Sequence, residues 1–153
     1  MAALCEALSE WATQADLPAR TAFHLDLILD ELLTNIVEHG VPAQDDGNET
    51  VGSIGIEVRV GLVGSGSGLE VHIRDDAQPF NPLSILQSDI DTILTAPLEA
   101  RKPGGLGIHF VKTLTQALHY THHPALSHSA ECKHGYNELR LLMRTGSDVS
   151  QND

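Results

Sequence analysis

Glu31 and Asn35, in the stretch ELLTNIVEHG, stand four residues apart in an otherwise apolar segment. On a helix, side chains at i and i+4 are surface neighbours, so this carboxylate and this amide project together. They fall on the edge of a stripe formed by Leu25, Leu29, Leu32 and Ile36. Burying either group unpaired is costly, so each needs a partner there. Taken alone, the pair reads equally well as a polar helix boundary and as part of a site. Two further features carry chemistry. Asp75, at the end of an apolar strand pattern, can accept a hydrogen bond from an exocyclic amino group; a plain strand-end carboxylate is the commoner reading. GGLG, residues Gly104, Gly105, Leu106 and Gly107, lies where a loop becomes a helix. Free N–H groups and the helix dipole make such an end attractive to anions, although flexible hinges share the composition.

These residues are positioned by elements that the pattern makes legible. Leu4, Leu8 and Trp11 recur at helical spacing, which predicts a first helix over residues 2 to 15. Leu17-Pro18 breaks it, and a second helix runs from about Arg20 to Glu38, stopped by Gly40 and Pro42. Residues 42 to 50 read as a loop. Ile54, Ile56, Val58, Val60 and Leu62 alternate with small and polar residues, so Ser53 to Val63 is a strand with one buried face. GSGSG then turns the chain, and Leu69, Val71 and Ile73 alternate in a returning antiparallel strand. A short helix is expected around Ile85 to Leu94, a third helix from Leu106 to Leu118, and two last strands near Leu118 to His122 and Tyr136 to Met143. Residues 1–145 form one domain, and 146–153 a disordered polar tail.

Composition bounds the partners. The 153 residues suffice for one domain with its own core, and with 41% hydrophobic and 20% charged residues the chain is a folder. A net charge of −12 repels phosphate backbones, which disfavours nucleic acid but not a nucleotide held locally by backbone N–H groups. Cys5 and Cys132 are too few for a disulfide framework or a cysteine-built metal centre. The start MAALCEALSEWA lacks a basic secretory leader, and no apolar run approaches the ~20 residues needed to span a bilayer. A cytoplasmic location and no membrane partner are the expectations. His119, His122, His123, His128 and His134, with Cys132, invite a metal reading, but their spacing fits no zinc pattern and a polar loop is the better reading.

Glu31-x-x-x-Asn35, then Asp75-x-Ala77-x-Pro79-Phe80, then Gly105-x-Gly107 resembles, in that order, the ATPase domain shared by gyrase B, MutL, histidine kinases and anti-sigma-factor serine kinases. The wording LDLILDELLTNIVEHG, DDAQPFNP and GGLGIHFVK is most similar to the last group. The resemblance spans roughly residues 20 to 143. It implies an α+β fold, a two-layer sandwich with helices on one face of a mixed, mainly antiparallel sheet around a Bergerat-type ATP site. It implies ATP and Mg²⁺ as cofactors. In that frame Glu31 is the general base and Asn35 the Mg²⁺ ligand. Asp75, Ala77 and Phe80 lie on the base side of the nucleotide, and Gly104, Gly105, Leu106 and Gly107 on the phosphate side. The segment between Phe80 and Gly104 would be a lid, from which Arg101 and Lys102 reach phosphate or stay in a solvated loop. His39 matches a histidine common in the family and packs or caps the helix end. One departure is Ala77, where the family commonly has glycine.

The function this implies is an Mg-ATP-dependent serine/threonine kinase acting on a small anti-sigma-factor antagonist, with a sigma factor as a second partner and a homodimer as an option. Two rivals stand beside it. One is a module that holds ATP as a conformational ligand and transfers nothing. The other is an ATP-hydrolysing or histidine-kinase-type fragment, weakened by the lack of a phosphoacceptor helix pair before residue 20.

Overall fold

The computed structural model of the chain describes residues 2–40, 53–84, 106–125 and 135–146. The loop at 42–50, the short helix near Ile85 to Leu94, the lid with Arg101, Lys102, Gly104 and Gly105, and His128, Cys132 and His134 lie outside them, as does most of the polar tail.

Helix α1 spans Ala2–Gln14 and α2 Ala19–Gly40. Between them the chain reverses at Asp16, whose φ of 51° is left-handed, and Pro18 follows just before α2 begins. Strand β1 (Ile56–Val63) and β2 (Gly68–Asp75) form the expected hairpin, closed by a tight turn at Gly64–Gly66. Helix α3 is Leu106–Leu114, followed by β3 (Ala117–His123) and β4 (Tyr136–Arg144). The sheet order is β1-β2-β4-β3, and every described pair is antiparallel. The two-layer α+β fold is therefore as the sequence implies, with no parallel pairing among the described residues.

Period-2 alternation decides which face is covered. Leu69, Val71 and Ile73 of β2 and Leu139, Leu141 and Met143 of β4 point inward and are buried. They meet Leu25, Ile28, Leu29, Leu32 and Leu33 of α2 and Ile108 and Val111 of α3 in one cluster, with Leu8 of α1 at its edge. Their opposite neighbours Glu70, Arg74 and Arg140 are exposed. Two expectations shift. The third helix stops four residues short of Leu118, because Gln116 N–H donates to Leu142 O (2.7 Å) and Leu118 pairs with Leu141 in the sheet. Leu62 was expected inward, yet it is 41% exposed beside the closed end of the edge hairpin.

Ile108 is fully buried between α3 and the sheet, whereas Phe23, at the start of the apolar run, is 65% exposed. Ile108→Ala should therefore cost about 2–5 kcal/mol in urea unfolding. Phe23→Ala should stay within about 0.5 kcal/mol of wild type, as surface changes usually do. Equal effects of the two would contradict this assignment of the core.

Candidate functional site

α2 is long enough to serve two purposes along its length. Its inner stripe enters the core, and one edge of its C-terminal half presents Glu31 and Asn35. The Asn35 Nδ2 group donates to Glu31 O (2.7 Å) and to Glu31 Oε1 (2.8 Å). Both amide protons are thus spent on the same residue one turn back. Asn35 Oδ1 accepts no hydrogen bond among the described residues, so it is left as an oxygen that a ligand can use. The expected pairing on one helix edge is present, and it leaves unbonded the amide oxygen, the donor type that a hard cation takes.

Gly107, in the first turn of α3, is where Glu31 comes to rest. A Cβ on Gly107 would overlap the Glu31 carboxyl carbon, Oε2 and Cγ, so a side chain there would displace Glu31 from its present rotamer. α3 has no acidic residue in its own first turn. Glu31 therefore brings a carboxylate from α2 to the first turn of α3, at the positive end of its dipole. At the other end of the pair, His24 of α2 and Thr113 of α3 line a common cavity of about 350 Å³ with Arg20 and Arg144. The two helices thus run antiparallel, and that cavity contains none of the residues whose spacing suggested chemistry.

Asp75 ends β2 facing inward, and its carboxylate is buried. Its Oδ1 accepts from Ala77 N–H (3.1 Å) and from Asn137 Nδ2 (2.8 Å). Its Oδ2 has no partner among the described residues. Burial is the largest influence on this carboxyl and pushes its pKa up, against the opposing hydrogen bonds from Asn137 and Ala77. The adjacent Asp76 turns the other way: it is exposed, and its Oδ1 accepts from Gly55 N–H at 2.7 Å, which ties down the entry to β1. Adjacent carboxylates therefore divide into one inward and one structural.

Asp75 shares a narrow cleft with Asn35, Leu32, Ile36, Phe80 and Tyr120. Phe80 also packs on His39, with ring centroids 4.7 Å apart, so that histidine packs as expected. Ala77 enters through its backbone. It is not among the residues of positive φ, so the turn does not require glycine. Its methyl group faces Gly40 at the end of α2, where a second Cβ would come within 2.5 Å. Gln78 N–H to Gly40 O (3.0 Å) closes the same contact. The small residue is needed, but Gly40 now provides the space that a glycine at 77 would have provided.

Asn137 and Tyr120 escaped the sequence reading, and His122 entered it only among the histidines of a possible metal site. Asn137, Tyr120 and His122 form a polar layer beneath Asp75, and one signal for it was present: Asn137 occupies an inward register among Leu139, Leu141 and Met143. The histidine run separates by strand alternation. His122 Nδ1 reaches Asn137 Oδ1 (3.0 Å) on the inner side, while the His123 ring stacks on Tyr136 at 4.3 Å on the outer side. No group of three metal-holding side chains occurs among the described residues, and none of their helices is long and apolar enough to cross a membrane.

The family described as the histidine kinase-like ATPase domain matches residues 1–130. The chain belongs to that family and is an ATP-binding domain of its type. No curated protein and no solved structure matches it.

Two outcomes check the site. Gly40→Ala should destabilise the fold through its clash with the Ala77 methyl, and the double variant with Ala77→Gly should recover most of the loss; thermal melts of the three variants decide it. The second concerns pH. A carboxyl whose pKa is raised in the fold favours the folded state most below its ordinary value of 3.8, and that contribution is lost as pH rises through the folded value. Asp75→Asn keeps an acceptor for Asn137 and Ala77 and removes the buried charge. It should melt no lower than wild type at neutral pH, with any advantage shrinking on acidification. A large loss of stability at neutral pH would make Asp75 a structural ion instead of a binding group.

Proposed function

We propose that the chain is an Mg-ATP-dependent serine/threonine protein kinase of the anti-sigma regulatory type, which phosphorylates a small antagonist protein. The observation that carries this reading is the Glu31–Asn35 pair: one carboxylate and one amide oxygen without a hydrogen bond among the described residues, beside the first turn of α3 and in a cleft lined also by Asp75. Asn35 Oδ1 fits a hard cation by its freedom and its donor type. Bound there, Mg²⁺ would neutralise charge on the phosphate oxygens. Asp75 Oδ2 would accept from the adenine amino group, and guanine offers a carbonyl oxygen at that place. The first N–H groups of α3 would face the phosphates.

The chemistry then needs little from the chain beyond alignment and one proton acceptor. The serine oxygen forms a bond to the γ-phosphorus as the bond to the β–γ bridging oxygen breaks, and ADP departs. The hydroxyl proton passes to the Glu31 carboxylate. The motif wording supports an antagonist protein as acceptor and a sigma factor as a second partner. A non-catalytic module is the second reading, favoured by one observation: Glu31 already has a structural place, bonded to Asn35 and packed over Gly107.

Glu31→Gln separates the two. Glutamine can still accept from Asn35 and fill the space over Gly107, but it takes up no proton. With labelled ATP and a candidate acceptor, transfer should fall about 10²–10⁴-fold, the usual contribution of a general base. ATP affinity should stay near wild type. Asn35→Ala should instead weaken Mg-ATP binding itself. Transfer at the wild-type rate by a folded Glu31→Gln protein would overturn the base assignment, and tight ATP binding by wild type with no transfer to any acceptor would favour the module.

A further inference from the structure

Asn137 lies on β4, beyond residues 1–130 that the family covers. Cross-strand register aligns it with Asp75 on one side and His122 on the other. It is 3% exposed. Its Nδ2 faces three acceptors: Asp75 Oδ1 at 2.8 Å, Gln78 O at 3.1 Å and Ala77 O at 3.2 Å. Its Oδ1 faces Tyr120 Oη at 2.8 Å and His122 Nδ1 at 3.0 Å. The chemistry of these neighbours leaves one amide orientation. A carboxylate and two carbonyls cannot donate, so the NH₂ must point to them; the phenol and the ring nitrogen donate to the oxygen. His122 is then the tautomer, or the cation, with its proton on Nδ1.

We propose that Asn137 is a positioning residue for recognition of the nucleotide base, holding Asp75 in one rotamer with Oδ2 turned into the cleft, while Tyr120 and His122 fix the direction of its amide. This rests on the reading of Asp75 as the adenine contact. Every polar atom of the amide is occupied, so the layer specifies geometry and is costly to leave half-satisfied. Asp75 without the Asn137 donor would be a buried carboxylate with one backbone hydrogen bond. The donor also opposes the upward push of burial on Asp75, and so favours the ionised form that accepts the amino group. The groups facing Asp75 are Asp76 beside it and His122 and Tyr120 across the sheet. The Tyr120 phenol is itself held protonated, by burial first and then by the Asp75 charge, which preserves it as a donor to Asn137.

The three acceptors hold the amide NH₂ toward Asp75, and either donor alone gives its oxygen a partner. If both are lost, that buried oxygen has no partner and the layer that holds Asp75 is loosened. The test is therefore a set of variants titrated calorimetrically with Mg-ATP and Mg-GTP across pH. Asn137→Ala should lower ATP affinity at least tenfold and leave GTP affinity unchanged. It should also move the acid limit of ATP binding to higher pH. Tyr120→Phe and His122→Leu should each have a small effect, and the double variant a loss larger than the product of the two. An Asn137→Ala protein with unchanged ATP preference and an unchanged acid limit would overturn the proposal. If that protein does not fold, the Tyr120→Phe/His122→Leu double, which leaves Asn137 in place, decides: losses no larger than the product of the singles overturn it. Asp75→Asn keeps the two failures apart. Should it bind ATP as wild type does, the adenine reading itself fails; should it bind weakly while the Asn137 layer is silent, only the positioning role falls.

Discussion

The bare Cα of Gly107 beneath the Glu31 carboxyl is the contact on which the arrangement depends. Any side chain at 107 would occupy the space of the carboxyl group, so α2 and α3 could not approach at this point with Glu31 in its present rotamer. Because they do approach, one close packing contact joins the helix that bears the polar pair to the first turn of α3. The antiparallel run of the two helices then places Ile108 and Val111 over the sheet, fully buried. Site and core are thus fixed by the same geometry, and a shift of α3 would be felt in both.

The second anchor is the end of β2. There a buried carboxylate faces a penalty from its surroundings and is kept by Ala77 N–H and the Asn137 amide. Groups held against such a penalty are where binding and catalysis concentrate, although structural networks also perturb pKa values. Here Asp75 lines the same narrow cleft as Asn35, so the buried carboxylate and the Glu31–Asn35 pair stand around one concavity. The small contact between Gly40 and Ala77 joins the end of α2 to the turn after β2, and brings Phe80 within reach of His39.

Much of this was legible in the sequence because it follows from periodicity. The 3.6-residue stripe of α2, the alternation in β1, β2 and β4, and the i,i+4 relation of Glu31 to Asn35 are local, and local rules found them. The end of α3 was not, since the chain from Gln116 onward is captured by β4, a partner more than twenty residues away in sequence. Non-local capture also explains the missed layer: Tyr120, His122 and Asn137 acquire their roles only when β3 and β4 pair and bring them under Asp75. Ala77 taught the same lesson from the other side. It stood out only as a departure from the family pattern, and its methyl group faces Gly40, a residue read only as a helix stop.

The claim that α2, the end of β2 and the start of α3 form one ATP site is most directly tested by backbone NMR, titrating the protein with Mg²⁺ and a non-hydrolysable ATP analogue. The account predicts amide shifts at Glu31, Asn35, Asp75, Ala77, Phe80 and Gly107, saturating together with one affinity. Arg20, His24, Thr113 and Arg144, around the cavity at the far end of the helix pair, should stay unmoved. Shifts confined to that far cavity, with Asn35, Asp75 and Gly107 silent at saturation, would contradict it.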